Sequence, residues 1–123
     1  LEVLSAASAA QNATPAAIQA MSSAIDRMRE CAESSGDATL EAYHRADLDF
    51  HSALALASGN RMLALLLDSL GDCLHESFEA SAQGHFARGG TMIDVVDAHS
   101  LILTAVTAAD AKAAARAMTA HLE

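Results

Sequence analysis

Alanine supplies much of the apolar half of this 123-residue chain, and that shortage of large side chains constrains its fold more than any other feature. Hydrophobic residues make up 52% of the sequence and aromatics only 3%, so a dry interior has to come from elements that approach one another closely. Helices meet that need, because alanine is the best helix former. A single proline, little β-branched alternation and the lack of any Asn-Gly or Asp-Gly hairpin signal argue against a sheet. The length suits one domain, residues 1–123, with one core. The expectation is an all-α fold, an antiparallel bundle of about six helices, since short connections between long helices favour antiparallel neighbours.

Helix punctuation divides the chain. Leu1 to about Ala13 reads as a short alanine-rich helix, and an opening directly in a helical pattern predicts that further chain precedes it. Thr14-Pro15 restarts the chain with an N-cap and a proline at the first helical position. The second helix runs to about Glu33, with Ile18, Met21, Ile25 and Met28 on its apolar stripe, and Ser34-Ser35-Gly36 ends it. Asp37 caps a third helix of about Ala38 to Ser58, Gly59 closes it, and Asn60 caps the fourth. That fourth helix starts at about Arg61, carries Met62, Leu65, Leu66, Leu70 and Leu74, and frays near Gly84, with Gly84 to Gly90 the most loop-like segment. A fifth helix spans about Thr91 to Ala108, and a sixth, N-capped by Asp110, completes the set.

Charge and hydropathy remove several function classes. The formal net charge is −9, and the seven basic residues, Arg27, Arg29, Arg45, Arg61, Arg88, Lys112 and Arg116, are dispersed. No basic patch forms to neutralise phosphates, so the piece is not expected to bind DNA by itself. No apolar run approaches the roughly 20 residues that span a bilayer and no charged-then-apolar leader opens the chain, so a soluble, cytoplasmic protein is expected. Cys31 and Cys73 stand alone, which suits a reducing compartment and two ordinary thiols.

The chemistry-bearing residues are those that violate the apolar stripes. On the third helix the stripe is Leu40, Tyr43, Phe50 and Leu54, and at about 100° per residue Asp47 lies in its middle and His51 one turn later on its flank. An unpaired buried carboxylate costs several kcal/mol, so Asp47 needs a cation or a set of donors; Asp49 points to the opposite, solvated face. On the fifth helix His99 falls near the centre of Met92, Val95, Val96, Ile102, Leu103 and Val106. On the sixth, His121 sits at the margin of Ala114, Ala115 and Met118. A single histidine on an apolar face is more often a core residue bonded to a backbone carbonyl than a ligand. Three helices that each turn an imidazole inward, one adding a carboxylate at i, i+4, point instead to a divalent metal held by Asp47, His51, His99 and His121. This N3O set suits zinc, nickel, manganese or iron, and a six-coordinate ion keeps positions open for water or a ligand carboxylate.

Other polar residues carry less. His44 at a stripe edge, His75 beside the leucine stripe and His85 in the loop read as structural or solvated. Asp68, Asp72, Glu76 and Glu79 have helical spacing but no accompanying Glu-x-x-His pair, and read as a solvated face. No Gly-x-Ser-x-Gly turn, activated cysteine or phosphate-cradling glycine loop is present. Two alternatives stay open at this point: an open metal site that activates water or dioxygen in an enzyme, and a closed metal clamp in a helical interaction module.

Asp47-Leu-Asp-Phe-His51, then Ala57-Ser-Gly-Asn60, then Ala98-His99 with Ile102-Leu103, and finally Asp110, Ala114, Met118 and His121-Leu122 resemble the FCD domain over nearly the whole chain. This domain is the effector-binding C-terminal half of FadR-subfamily regulators within the GntR family of bacterial transcription factors. The resemblance implies that Asp47, His51, His99 and His121 bind a metal that helps hold a small organic acid effector. It also implies a transcription regulator rather than an enzyme, a homodimer, and DNA contact only through a separate N-terminal winged helix-turn-helix.

Overall fold

The computed structural model describes residues 2–34 and 37–122; the side chains of Glu2, Asp37, Ala38, Asp72, Leu74, His75, Phe78 and Ala82 lie outside the described residues. Seven helices make up the described chain: α1 (Glu2–Asn12), α2 (Pro15–Ala32), α3 (Asp37–Ala57), α4 (Arg61–Ser69), α5 (Gly71–Ala87), α6 (Met92–Thr107) and α7 (Ala111–Leu122), with no strand among the described residues. The fold is all-α, as the alanine content and sparse proline require.

Local signals fix most boundaries. The Thr14 side chain accepts from the Ala17 N–H with Pro15 at the first helical position, Asn60 accepts from the Leu63 N–H, and Asp110 accepts from the Ala113 N–H, each satisfying a donor that a helix start otherwise leaves orphaned. At α6 a full capping box joins Thr91 and Asp94, each side chain bonding the other's backbone N–H. Gly59 adopts φ 79° after α3, the left-handed geometry that glycine takes without a Cβ clash. At the α6–α7 junction the same geometry falls to Ala109, at φ 57°. The proposed Asp37 cap rests on a side chain outside the described residues.

The fourth helix of the sequence reading is two. It breaks at Leu70, which has no helical capping side chain, and α5 then continues to Ala87, through most of the stretch that reads as loop. The stripe also faces the other way: Leu63 and Leu67 are buried, whereas Met62, Leu65, Leu66 and Leu70 are exposed.

Helices α1, α2, α3, α6 and α7 share the main core, built around Met21, Met28, Tyr43, Phe50, Leu54, Ile102 and Met118. Ala6, Ala9, Ala24, Ala46 and Ala114 are buried between them, so small residues set the close helix approach. Helix α3 is the hub, packing against α1, α2, α4 and α5, while α6 lies against α1, α2 and α7. Outside the core Arg27 pairs with Asp49 at 2.9 Å, and Arg29 donates to Ser100 at 3.3 Å and approaches Asp97 at 3.9 Å, tying α2 to α3 and α6. No described helix is long and apolar enough to cross a membrane.

Candidate metal centre

Burial of the α3 stripe carries Asp47 inside, since Tyr43, Phe50 and Leu54 around it are all fully enclosed and Asp47 itself is only 6% exposed. One turn on, His51 is buried on the same helix, its Nε2 3.3 Å from Asp47 Oδ1. Helix α6 brings His99 from the opposite side, fully buried, with Nε2 2.7 Å from that same oxygen. Its ring packs edge-on against Phe50, centroids 4.7 Å apart. From the last turn of α7, half-buried His121 closes the group, its ring 4.3 Å from that of His99 and stacked 5.7 Å from that of His51.

All four residues singled out from the sequence therefore converge: one ligand-type atom from each lies within 4.8 Å of the others. A cation with bonds of about 2.0–2.2 Å sets its donors roughly 3–4 Å apart, so small side-chain adjustments suffice to close the set around an ion. The second nitrogen of His99 supports the same fit. Its Nδ1 donates to the Val95 carbonyl at 2.7 Å, which orients the ring and leaves Nε2 for the centre, the arrangement typical of a metal-bound imidazole.

Burial and the neighbouring groups shift two of the four cluster residues. Burial alone raises the Asp47 pKa, but hydrogen bonds from His51 and His99 and the charge on those rings outweigh it, so the carboxyl is held well below the usual carboxylate range. His121 is pushed down to about 3, chiefly by burial and then by repulsion from His99 and His51, against the opposing pull of Asp47. An ionised carboxylate and a neutral imidazole are the forms that ligate metals. Burial, followed by the Asp47 charge, pushes the Tyr43 hydroxyl upward, and that hydroxyl is enclosed with no hydrogen-bond partner among the described residues.

The cluster opens onto a cavity of about 300 Å³ between α3, α5, α6 and α7, at the small end of the ~300–1,000 Å³ range of small-molecule sites. Asp47, His51 and His121 form one wall; Ser81, His85 and Arg88 from α5 and Asp94, Val95 and Ala98 from α6 form others. Ser81, Arg88 and Asp94 escaped the sequence reading because each occupies an exposed position, on a helix or at its end, where polar residues are ordinary. The available signal was the spacing of Ser81, His85 and Arg88, which puts them on one helix face. His85 belongs to the last turn of α5 rather than to a loop; its Nε2 donates to the Thr91 carbonyl at 3.1 Å and lies 3.7 Å from Asp94.

The other candidates stay apart from the centre. His44 is buried beside Tyr43, ring centroids 5.5 Å apart. Asp68 and Glu76 are exposed, as a solvated face requires, but Glu79 is half-buried, and Asp72 and His75 fall on side chains outside the described residues. Cys31 is half-buried and Cys73 exposed, both as free thiols.

Residues 1–123 match the family model of the FCD domain. Over 113 residues, 92% of its length, the chain is 29% identical to the proposed L-lactate dehydrogenase operon regulatory protein of Escherichia coli. The counterpart of that name from Shigella flexneri is similar to the same extent. The chain spans 44% of the length of each of these relatives.

Proposed function

This chain belongs to the FCD domain family, and from that premise we propose that it is the effector-sensing part of a transcription regulator of the GntR family, FadR subfamily. In this reading it binds one divalent transition metal, zinc, nickel, manganese or iron, and a small carboxylate-bearing ligand. The observation that carries the reading is the convergence of Asp47, His51, His99 and His121 on the wall of an open cavity. When bound, the ion supplies a Lewis-acidic point for a carboxylate oxygen. The protein's own residues do the rest: Asp47 provides negative charge, the three imidazoles provide nitrogen donors, and Phe50 and Val95 fix the plane of His99. An open cavity beside the cluster favours a sensor over a closed structural clamp, and the family and its relatives favour a regulator over an enzyme.

DNA binding is assigned to a separate domain, consistent with an acidic chain whose Arg27 and Arg29 are engaged by Asp49 and by Asp97 with Ser100. A cytoplasmic location follows from the same assignment. The homodimer that the reading includes is supported by α4, where Met62, Leu65 and Leu66 form an exposed apolar face. Arg61 and Asp68 are both exposed and lie two turns apart along one edge of that face. A second copy packed antiparallel about a twofold axis near Leu65 sets each Arg61 against the partner's Asp68, so the face is self-complementary in charge as well as apolar. A ligand that binds one dimer geometry more tightly then shifts the population and with it the spacing of the DNA-reading heads.

Metal analysis by inductively coupled plasma mass spectrometry tests the core of this function, on protein purified without a histidine tag or added metal. About one equivalent of a transition metal per chain is expected, with His99→Ala and Asp47→Ala losing metal content and thermal stability together. Absence of metal in the wild-type chain, with no uptake on titration, overturns the reading.

A further inference from the structure

The cavity beside the Asp47, His51, His99 and His121 cluster has a second polar wall at the end of α5, where Ser81, His85 and the C-cap residue Arg88 follow at i, i+4 and i+7 and line the same space. Two glycines make room for the larger of these side chains. A Cβ at Gly84 would stand 3.2 Å from Arg88 Nη1, so the guanidinium folds back close against the α5 surface. A Cβ at Gly90 would overlap the His85 ring. His85 is then held in place by the Thr91 carbonyl and faces Asp94, and the Asp94 carboxylate in turn accepts from the Thr91 N–H at 2.9 Å. His85, Thr91 and Asp94 are thus partnered within the wall, whereas Arg88 forms no ion pair or hydrogen bond to a side chain among the described residues. In a chain with sixteen acidic and seven basic residues, an unneutralised guanidinium lining a cavity marks a place for an anion from outside, since the planar fork of arginine matches a carboxylate bidentately.

We propose that Arg88, aided by the Ser81 hydroxyl on the same helix face, is a second anion-recognition pole of this cavity, and that the site selects small dicarboxylates. One carboxylate is taken at the Asp47, His51, His99 and His121 cluster and the other by Arg88. The assignment rests on the metal-dependent reading above and narrows its ligand class.

Isothermal titration of the zinc-loaded chain with succinate and with acetate tests it. Succinate binds at least about tenfold more tightly than acetate to the wild type, the margin a charge-assisted bidentate pair provides. In Arg88→Gln that preference collapses to within about threefold while acetate affinity holds, and Arg88→Lys retains only part of it. Equal binding of the two acids by the wild type, or a loss in Arg88→Gln shared equally by both, overturns the proposal. If zinc is retained and acetate binds without a succinate preference, the dicarboxylate assignment alone fails. If no zinc is retained, or neither acid binds the loaded chain, the metal-dependent reading falls with it.

Discussion

At the scale of single residues, Asp47 is the point on which the chemistry turns. Its Oδ1 faces two imidazole nitrogens at 2.7 and 3.3 Å from inside a bundle lined with alanine and methionine, and burying such a charge without those donors would cost several kcal/mol. Asp47→Asn keeps the volume and an acceptor oxygen but removes the charge. Metal affinity is expected to fall more than about tenfold, whereas the metal-free protein loses only about 1 kcal/mol, as a charge-assisted hydrogen bond to His99 becomes a neutral one. Competition against a chromophoric chelator, read beside a urea titration, separates these effects; equal metal affinity in the two proteins would dismiss Asp47 as a ligand. The four cluster residues were legible in the sequence because each breaks an apolar periodicity, and a polar side chain where leucine belongs demands a reason. Arg88 breaks nothing: it follows α5 at an exposed position, and only the fold shows that it borders the cavity.

Among the elements, α4 and α5 show where periodicity loses its grip. Met62, Leu63, Leu65, Leu66 and Leu67 place apolar side chains on both sides of one short helix, so the pattern does not say which side turns inward; packing on α3 selects Leu63 and Leu67. The break at Leu70 carries no proline and no capping side chain, and its one mark in the sequence is Gly71, which a helical pattern also tolerates. The ends of α2, α4 and α7, by contrast, were legible from Thr14, Asn60 and Asp110, whose oxygens can satisfy backbone donors only at such positions. Between α6 and α7, Ala109 holds a left-handed backbone that costs an L-residue roughly 1 kcal/mol or more. Ala109→Gly relieves that clash, and a gain of about 0.5–1 kcal/mol is expected after the added unfolded-state freedom of glycine is set against it. Urea unfolding of the two proteins measures it, and a loss of stability would show that the turn is not strained.

For the whole molecule, the exposed face of α4 carries the test of the proposed dimer. Leu65 is 60% exposed, so Leu65→Asp leaves the chain folded by circular dichroism but buries a charge at the proposed twofold contact. Light scattering after size exclusion is expected to find the wild type as a dimer and the variant as a monomer; a wild-type monomer, or an unaffected dimer in the variant, places the contact elsewhere. The cluster itself has a consequence at this scale. Its ligands come from the hub helix α3 and from α6 and α7, so an ion seated there would tie residue 47 to residue 121 and gather the chain between them into a closed loop. Loop closure removes conformations from the unfolded ensemble much as a disulfide does, yet both cysteines of this chain are free thiols. With an ion bound there, the domain would gain a cross-link borrowed from solution and reversible by a chelator, made without a disulfide.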